Sequence, residues 1–140
     1  MGGTPMSSVI FKTHADYLPK VVQNATYALN GRPKNLAPGD TILIAQTRQS
    51  LPRGEKQIHY RMTFVGAELD KDGKTDRIFG RHWRYIIVAE ALKELRLPFD
   101  ISDIVNPSKN YEQGGSFVYV ARRDEAALQE CGHFDTVDNA

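Results

Sequence analysis

The feature that most restricts the fold is an alternating segment in the middle of the chain. Between residues 57 and 65, every second side chain is apolar: Ile58, Tyr60, Met62 and Phe64 alternate with Gln57, His59, Arg61 and Thr63. A period of two indicates a strand with one buried and one exposed face. The chain must therefore form a sheet that is covered on at least one side.

Four further strands are predicted around this one. Residues 41 to 47 follow the turn Pro38-Gly39-Asp40 and are apolar on both faces at their centre, which places that strand in the middle of the sheet. Runs of β-branched and aromatic residues predict strands over residues 8–12, 83–88 and 116–121. Residues 70–73 predict a tight turn and residues 106–115 a loop.

Helices are predicted on three segments. Residues 18–29 carry apolar side chains at helical spacing and end at Asn30-Gly31, a good stop signal; Tyr27 then lies off the apolar stripe. Residues 89–95 could continue the preceding strand as a helix until Leu97-Pro98 interrupts it. Residues 124–131 predict a short helix with Asp124 as its N-cap.

These elements predict an α/β chain of the α+β type. The expected architecture is a small, curled, mixed β-sheet or β-barrel of about five to six strands with flanking helices. At 140 residues the chain has the length of one domain, which we place over residues 1–131, with residues 132–140 as a polar tail or linker. The only cysteine, Cys131, has no partner for an internal disulfide.

Composition limits the location and the partners. The apolar stretches are far shorter than the roughly 20 residues needed to cross a bilayer, and the N-terminus lacks an export signal, so a cytoplasmic protein without a membrane partner is expected. Residues 1–66 hold eight Lys or Arg against three acids (+5), and residues 67–140 hold ten against fourteen (−4). This polarity is either a chance bias of a solvated surface or a basic face for phosphates.

No catalytic motif is present. The chain has no P-loop, dinucleotide fingerprint, nucleophile elbow or zinc-protease helix, and its four histidines are scattered, so neither a metal nor a cofactor is expected. A cluster of acids in residues 70–76 (Asp70, Asp72 and Asp76) could serve a Mg²⁺-dependent nuclease, but its spacing is ordinary turn chemistry. Cys131 and His133 are poorly placed to activate one another. A binding protein is favoured over an enzyme.

Four short motifs, taken in order, carry a resemblance. They are Val9-Ile-Phe-Lys-Thr-His14 with the helix that follows it, Pro38-Gly-Asp-Thr-Ile-Leu-Ile44, Phe79-Gly-Arg-His-Trp-Arg-Tyr85 and Tyr119-Val-Ala-Arg-Arg-Asp124. Together they resemble the YTH and EVE branch of the PUA-like superfamily over roughly residues 9–128. Three positions depart from the YTH pattern: Tyr27 replaces the cage tryptophan, His14 replaces an asparagine and Arg122 replaces a serine.

The resemblance implies a reader of modified nucleobases. Such domains receive a flipped, methylated base in an aromatic cage, which is 6-methyladenine in RNA for YTH readers, while relatives in modification-dependent restriction systems read DNA. The implied partner is a nucleic acid with a modified base, and a fused or associated nuclease or motor domain would suit a defence role. The implied site residues are Lys12, Thr13, His14, Tyr27, Arg81, Trp83, Arg122, Arg123 and Asp124.

Several of these residues also have a purely structural interpretation. Tyr27 could be an exposed tyrosine at a helix end, and Trp83 could be a packing residue rather than a stacking platform. The second wall of the cage could be Trp83, Phe79 or Tyr85. Arg122 and Arg123 could contact neighbouring acids instead of phosphates. Two other functions stay open: an ASCH-like hydrolase or nuclease that uses Lys12 or the acidic cluster, and a module that binds a peptide or metabolite.

Overall fold

A computed structural model describes residues 8–103 and 117–137 of the chain. Six strands form one mixed sheet: β1 (Ser8–Thr13), β2 (Thr26–Leu29), β3 (Thr41–Gln46), β4 (Ile58–Leu69), β5 (Tyr85–Phe99) and β6 (Phe117–Tyr119). Within these residues three helices accompany it: α1 (Leu18–Asn24), α2 (Lys74–Phe79) and α3 (Arg122–Glu130). Short 3₁₀ turns lie at Arg48–Ser50 and Ile101–Asp103.

The strands follow the spatial order β2-β5-β4-β3-β1-β6 and curl into a half-barrel. β1 and β3 are parallel, and every other neighbouring pair is antiparallel. The predicted curled mixed sheet with flanking helices is therefore confirmed. None of the described helices has the length and apolar character needed to span a membrane.

The sheet is buried on both faces, as the doubly apolar β3 predicts. One face packs with α1 and α2 around Val9, Phe11, Ile42, Ile44, Met62, Phe64 and Ile87. The other packs with α3 around Ile10, Leu43, Ile58, Leu95, Phe99 and Leu128. Successive residues of β1 and β3 belong to opposite clusters, because side chains alternate across a strand.

The first helix ends earlier than the sequence pattern predicts. α1 stops at Asn24, and Ala25 adopts a left-handed conformation with φ of 48°, which turns the chain into β2. Tyr27 thus lies in a strand and pairs with Ile87 of β5. Its side chain is only 6% exposed and belongs to the core, so the prediction that Tyr27 lies on a helix outside the core is wrong.

The predicted helix over residues 89–95 is also wrong, because this segment belongs to the fifteen-residue strand β5. β5 and β4 pair along their length, with register shifts that mark bulges. Bulges bend a long hairpin and increase its twist, which accounts for the curl of the sheet. The helix α2 was not predicted at all.

The C-terminal part of the chain departs from expectation in two places. α3 begins at Arg122 with Ala121 as its N-cap, so Asp124 lies inside the first turn and is not the cap. Beyond α3, residues 132–137 lie against β5, where the Arg96 amide donates to the Asp135 carbonyl and the Val137 amide donates to the Glu94 carbonyl. The predicted loop over residues 106–115 lies outside the described residues.

Candidate functional site

A pocket of about 250 Å³ opens where β1 ends and α1 begins. Strands, helices and the segments between them line this pocket. The lining residues are Lys12, Thr13 and His14 at the end of β1, Tyr17 just before α1, Val21 in α1, Tyr27 and Ala28 of β2, Thr47 after β3, Phe79 of α2, and Trp83 just before β5. We call this the aromatic pocket. A lining that combines aromatic side chains with a few polar ones is typical of small-molecule sites.

Three aromatic rings form one wall of the aromatic pocket. The ring centroids of Tyr17, Phe79 and Trp83 lie 5.5 to 5.9 Å apart, and each pair meets edge to face. Such edge-to-face contacts stabilise aromatic clusters beyond the area that they bury. Trp83 is only partly buried, so part of its ring is available to a ligand. Its neighbour Tyr85 does not line the pocket, which leaves Trp83 and Phe79 as wall residues.

Tyr27 forms the floor of the pocket from within the core. Its ring stacks on Phe11 with centroids 4.5 Å apart, and its hydroxyl donates to the Lys12 carbonyl. Burial raises the pKa of Tyr27, and the nearby Thr13 hydroxyl opposes part of that rise. The phenol therefore stays neutral and fixed in orientation.

Lys12, His14 and Arg81 are partly buried or exposed and are the rim groups of the pocket, whereas Thr13 is buried. Lys12 and His14 line it on one side. Nδ1 of His14 accepts a hydrogen bond from the Asp16 amide at 3.1 Å, so a neutral His14 carries its proton on Nε2. On the other side, the Arg81 guanidinium lies 4.5 Å from the centroid of the Trp83 ring, a cation–π contact.

The remaining predicted site residues lie elsewhere. β6 runs antiparallel to β1, and the Val120 amide donates to the Ser8 carbonyl, so α3 starts beyond the first residue of β1. The pocket lies beyond the last residue of that strand. Arg122, Arg123 and Asp124 are thus separated from the pocket by the six-residue length of β1, roughly 20 Å. The structure brings together Lys12, Thr13, His14, Tyr27, Trp83 and Arg81, and it does not bring the three residues of α3 to them.

The position of Trp83 depends on a buried hydrogen-bond network. The Trp83 amide donates to the Thr75 hydroxyl at 3.0 Å, and that hydroxyl donates to a carboxylate oxygen of Asp70. The amides of Lys74 and Thr75 also donate to Asp70, which thereby caps the N-terminus of α2. His82 lies 3.7 Å from the same carboxylate.

This network gives Asp70 of the acidic cluster a structural role. The Asp70 side chain is 1% exposed, and both of its oxygens accept hydrogen bonds from α2. Among the described residues, no group of three potential metal ligands was found. Sequence reasoning did not connect Asp70 and Thr75 with Trp83, and it missed Tyr17, because no local pattern reports contacts between a turn, a helix and a strand.

Asp70 predicts a specific pH dependence of stability. Burial alone would raise the pKa of Asp70, but hydrogen bonds from the Thr75 hydroxyl and from the Thr75 and Lys74 amides together lower it. A lowered folded-state pKa contributes stability above the unfolded value of about 3.9, and this contribution is lost as the pH falls through the folded pKa. Asp70→Asn should cost about 1–3 kcal/mol near neutral pH. As the pH is lowered below about 4, the free energy of unfolding of the Asp70→Asn variant should fall less steeply than that of the wild type.

Denaturant unfolding at a series of pH values measures both effects. The control is Asp72→Asn, since Asp72 is exposed and only its backbone carbonyl accepts a hydrogen bond, from Arg77. If the two variants have the same free energy of unfolding at every pH, Asp70 does not stabilise the N-terminus of α2.

Comparison with known proteins supports the fold. No family model and no curated protein matches the sequence. The ASCH protein of Zymomonas mobilis matches in structure with a TM-score of 0.61 and 11% identity, covering 88% of this chain and 94% of that one. A tyrosine-to-phenylalanine mutant of the same protein matches with a TM-score of 0.61 and 11% identity, covering 88% of this chain and 96% of that one. A serine-to-alanine mutant matches with a TM-score of 0.64 and 10% identity, covering 89% of this chain and 95% of that one. The chain thus has the fold of these ASCH proteins, a PUA-like fold.

Proposed function

We propose that this protein binds nucleic acid and receives one flipped, modified base in the aromatic pocket, without catalysing a reaction. The observation that carries the proposal is the wall of Tyr17, Phe79 and Trp83 with the Arg81 cation stacked beside it. Base-reading pockets combine aromatic faces for stacking with a few polar groups for the base edge. The PUA-like fold is consistent with this role.

The rim groups suit the edge of a base. A neutral His14 with its proton on Nε2 presents a donor to a ring nitrogen. The Lys12 ammonium can meet a flanking phosphate. We propose a methylated base, with 6-methyladenine as the first candidate, because a methyl group buried in an aromatic pocket adds about 0.8 kcal/mol to binding.

The proposal is tested by equilibrium binding. Fluorescence of Trp83, the only tryptophan, reports directly on the pocket wall. Short single-stranded DNA and RNA oligonucleotides with and without 6-methyladenine should quench it, and the methylated form should bind about fourfold more tightly. Equal affinity for methylated and unmodified oligonucleotides would contradict the reader role.

We expect binding to a short single strand to depend only weakly on salt. Lys12 and Arg81 are the cations that flank the pocket, and each phosphate contact contributes a slope of about −0.7 to log K against log salt. The slope should therefore be about −1.4. Arg81→Ala should reduce its size by about half, since one of the two contacts is lost.

Arg123→Ala is the matched control for this measurement. Arg123 is exposed and lies beyond the opposite end of β1, where a short strand held in the pocket does not reach. It should leave the salt slope unchanged. A slope near zero in the wild type would argue against any phosphate contact at the pocket.

A second candidate function, a hydrolase, is favoured by one observation. Lys12, whose amine is a potential base or nucleophile, lines the pocket. Incubation of modified oligonucleotides with the protein, followed by mass analysis of the nucleosides and fragments, separates the two candidates. Turnover that disappears in Lys12→Met would replace the reader proposal.

A further inference from the structure

A second concavity lies on the opposite face of the sheet from the aromatic pocket. It is an open groove of about 1200 Å³ between the β4–β5 hairpin and the C-terminal segment 134–137. Arg61 and Thr63 of β4, residues 91–94 and 96 of β5, and residues 134–137 line it. We call it the Arg61 groove. The proposed function does not use this region.

The guanidinium of Arg61 has only part of its hydrogen-bonding capacity satisfied in this groove. One guanidinium nitrogen donates to the Phe134 carbonyl at 2.8 Å, and the other makes a longer contact of 3.4 Å with the Thr41 hydroxyl. A guanidinium has five N–H donors, so most of its capacity is left over. Desolvation lowers the pKa of Arg61, which means that its charge carries a burial cost.

A second cation stands directly beside Arg61. In the β4–β5 ladder Arg61 pairs with Lys93, and directly opposed residues point to the same face of a sheet. Like charges in such a pair destabilise it. Within residues 8–103 and 117–137, no carboxylate lies within 4.0 Å of either head group, although Glu94 and Asp135 also line the groove.

A β-bulge creates this pairing. The register changes between the pairs Thr63 with Glu90 and Arg61 with Lys93, and Ala91 between them has a φ of 53°. Without the extra residue Leu92 would oppose Arg61, because a shift of one residue exchanges the faces of a strand. The bulge instead sets Lys93 opposite Arg61, and a left-handed alanine is itself strained.

We infer that the Arg61 groove is a second binding site, built for a phosphate group held between the head groups of Arg61 and Lys93. A bound oxyanion would relieve the repulsion between the two cations and compensate the half-buried guanidinium. Hydroxyls of Thr63 and Thr136 line the same groove and can donate to further phosphate oxygens. The phosphate can belong to a nucleic-acid backbone or to a free phosphate ester.

The test is a titration of the full chain with inorganic phosphate, followed through backbone amide resonances. We expect saturable shifts at Thr63, Lys93 and residues 135–137. Lys93→Met should weaken phosphate binding about fivefold, and Arg61→Lys, which keeps the charge but loses the planar fork, about tenfold. Arg53→Met is the control, because Arg53 is exposed and lines neither concavity, and it should bind as the wild type does.

Lys93→Met is the deciding variant, because the Lys93 head group makes no hydrogen bond or ion pair among the described residues that the variant would break. In phosphate-free buffer its melting temperature should equal or exceed that of the wild type, and in saturating phosphate it should fall below. Unchanged phosphate affinity in Lys93→Met overturns the inference. The inference also fails if Arg61→Lys lowers the melting temperature while phosphate affinity stays constant, since Arg61 then only anchors the C-terminal segment.

A second arm identifies the source of the phosphate. An unmodified single-stranded oligonucleotide that binds more tightly than inorganic phosphate, and is weakened by Lys93→Met, supports a nucleic-acid backbone; an oligonucleotide that binds no more tightly supports a free phosphate ester. The test does not depend on the aromatic pocket, because no residue that lines that pocket lines the Arg61 groove, and Trp83→Ala should leave phosphate binding unchanged. Failure of base recognition and failure of phosphate binding are therefore distinguishable.

Discussion

Replacing Tyr27 with alanine should destabilise the protein by about 3–5 kcal/mol, the cost of removing a large aromatic side chain from a core. Tyr27 is 6% exposed, stacks on Phe11 and lies in the same cluster as Ile87. Its removal leaves a cavity between the sheet and α1. Since small domains have only about 5–15 kcal/mol of stability, this loss should be visible as a large shift of the denaturant midpoint.

Tyr27→Phe separates the ring from its hydroxyl. The phenylalanine keeps the stacking on Phe11 and loses the hydroxyl, with its hydrogen bond to the Lys12 carbonyl and its interaction with the Thr13 side chain, so it should cost about 1 kcal/mol. Denaturant unfolding of both variants, analysed with a common dependence of the free energy of unfolding on denaturant concentration, measures the difference in stability between them. A fully stable Tyr27→Ala protein would show that Tyr27 is not part of the core.

Replacing Trp83 with alanine should weaken binding of a modified oligonucleotide by about 1–3 kcal/mol, or roughly fivefold to 150-fold, because the flipped base loses a stacking surface. Trp83 is the partly exposed ring of the wall formed with Tyr17 and Phe79. It also supports the Arg81 guanidinium, so the loss includes the alignment of that cation. Titration calorimetry at fixed salt measures the effect.

Two variants make the Trp83 result interpretable. Trp83→Phe should retain most of the affinity, because an aromatic face remains. Tyr85→Ala removes a neighbouring aromatic residue that does not line the pocket and should leave affinity unchanged. If Trp83→Ala binds as tightly as the wild type while its circular dichroism shows a folded protein, the base does not stack in this pocket.

The fold was largely predictable because its strands have local signals. The alternation around Met62 and the doubly apolar β3 fixed the number of buried faces, and the turn at Gly39 located the start of β3. These patterns depend on the two-residue period of a strand, which any buried sheet must show. The curled, mixed sheet followed from them.

Two of the errors in secondary structure share one cause. Residues 89–97 are rich in Ala, Glu, Leu, Lys and Arg, which favour helix, yet pairing with β4 makes them a strand. The helix predicted over residues 18–29 included Tyr27, but Ala25 adopts a left-handed conformation and β2 pairs with β5 instead. Sheet pairing joins residues that lie far apart in sequence, and a local pattern contains no record of it.

The sequence by itself determined which residues could take part in a site, and the tertiary structure decided which of them meet. Lys12, His14 and Trp83 were predicted from short motifs, and folding brings them to one pocket. Arg122 and Arg123 were predicted on the same grounds, but the antiparallel direction of β6 carries them to the other end of β1. The pairing of Arg61 with Lys93 depends on a one-residue bulge in β5. Such proximity is set by strand direction and register, which arise only when the whole sheet has assembled.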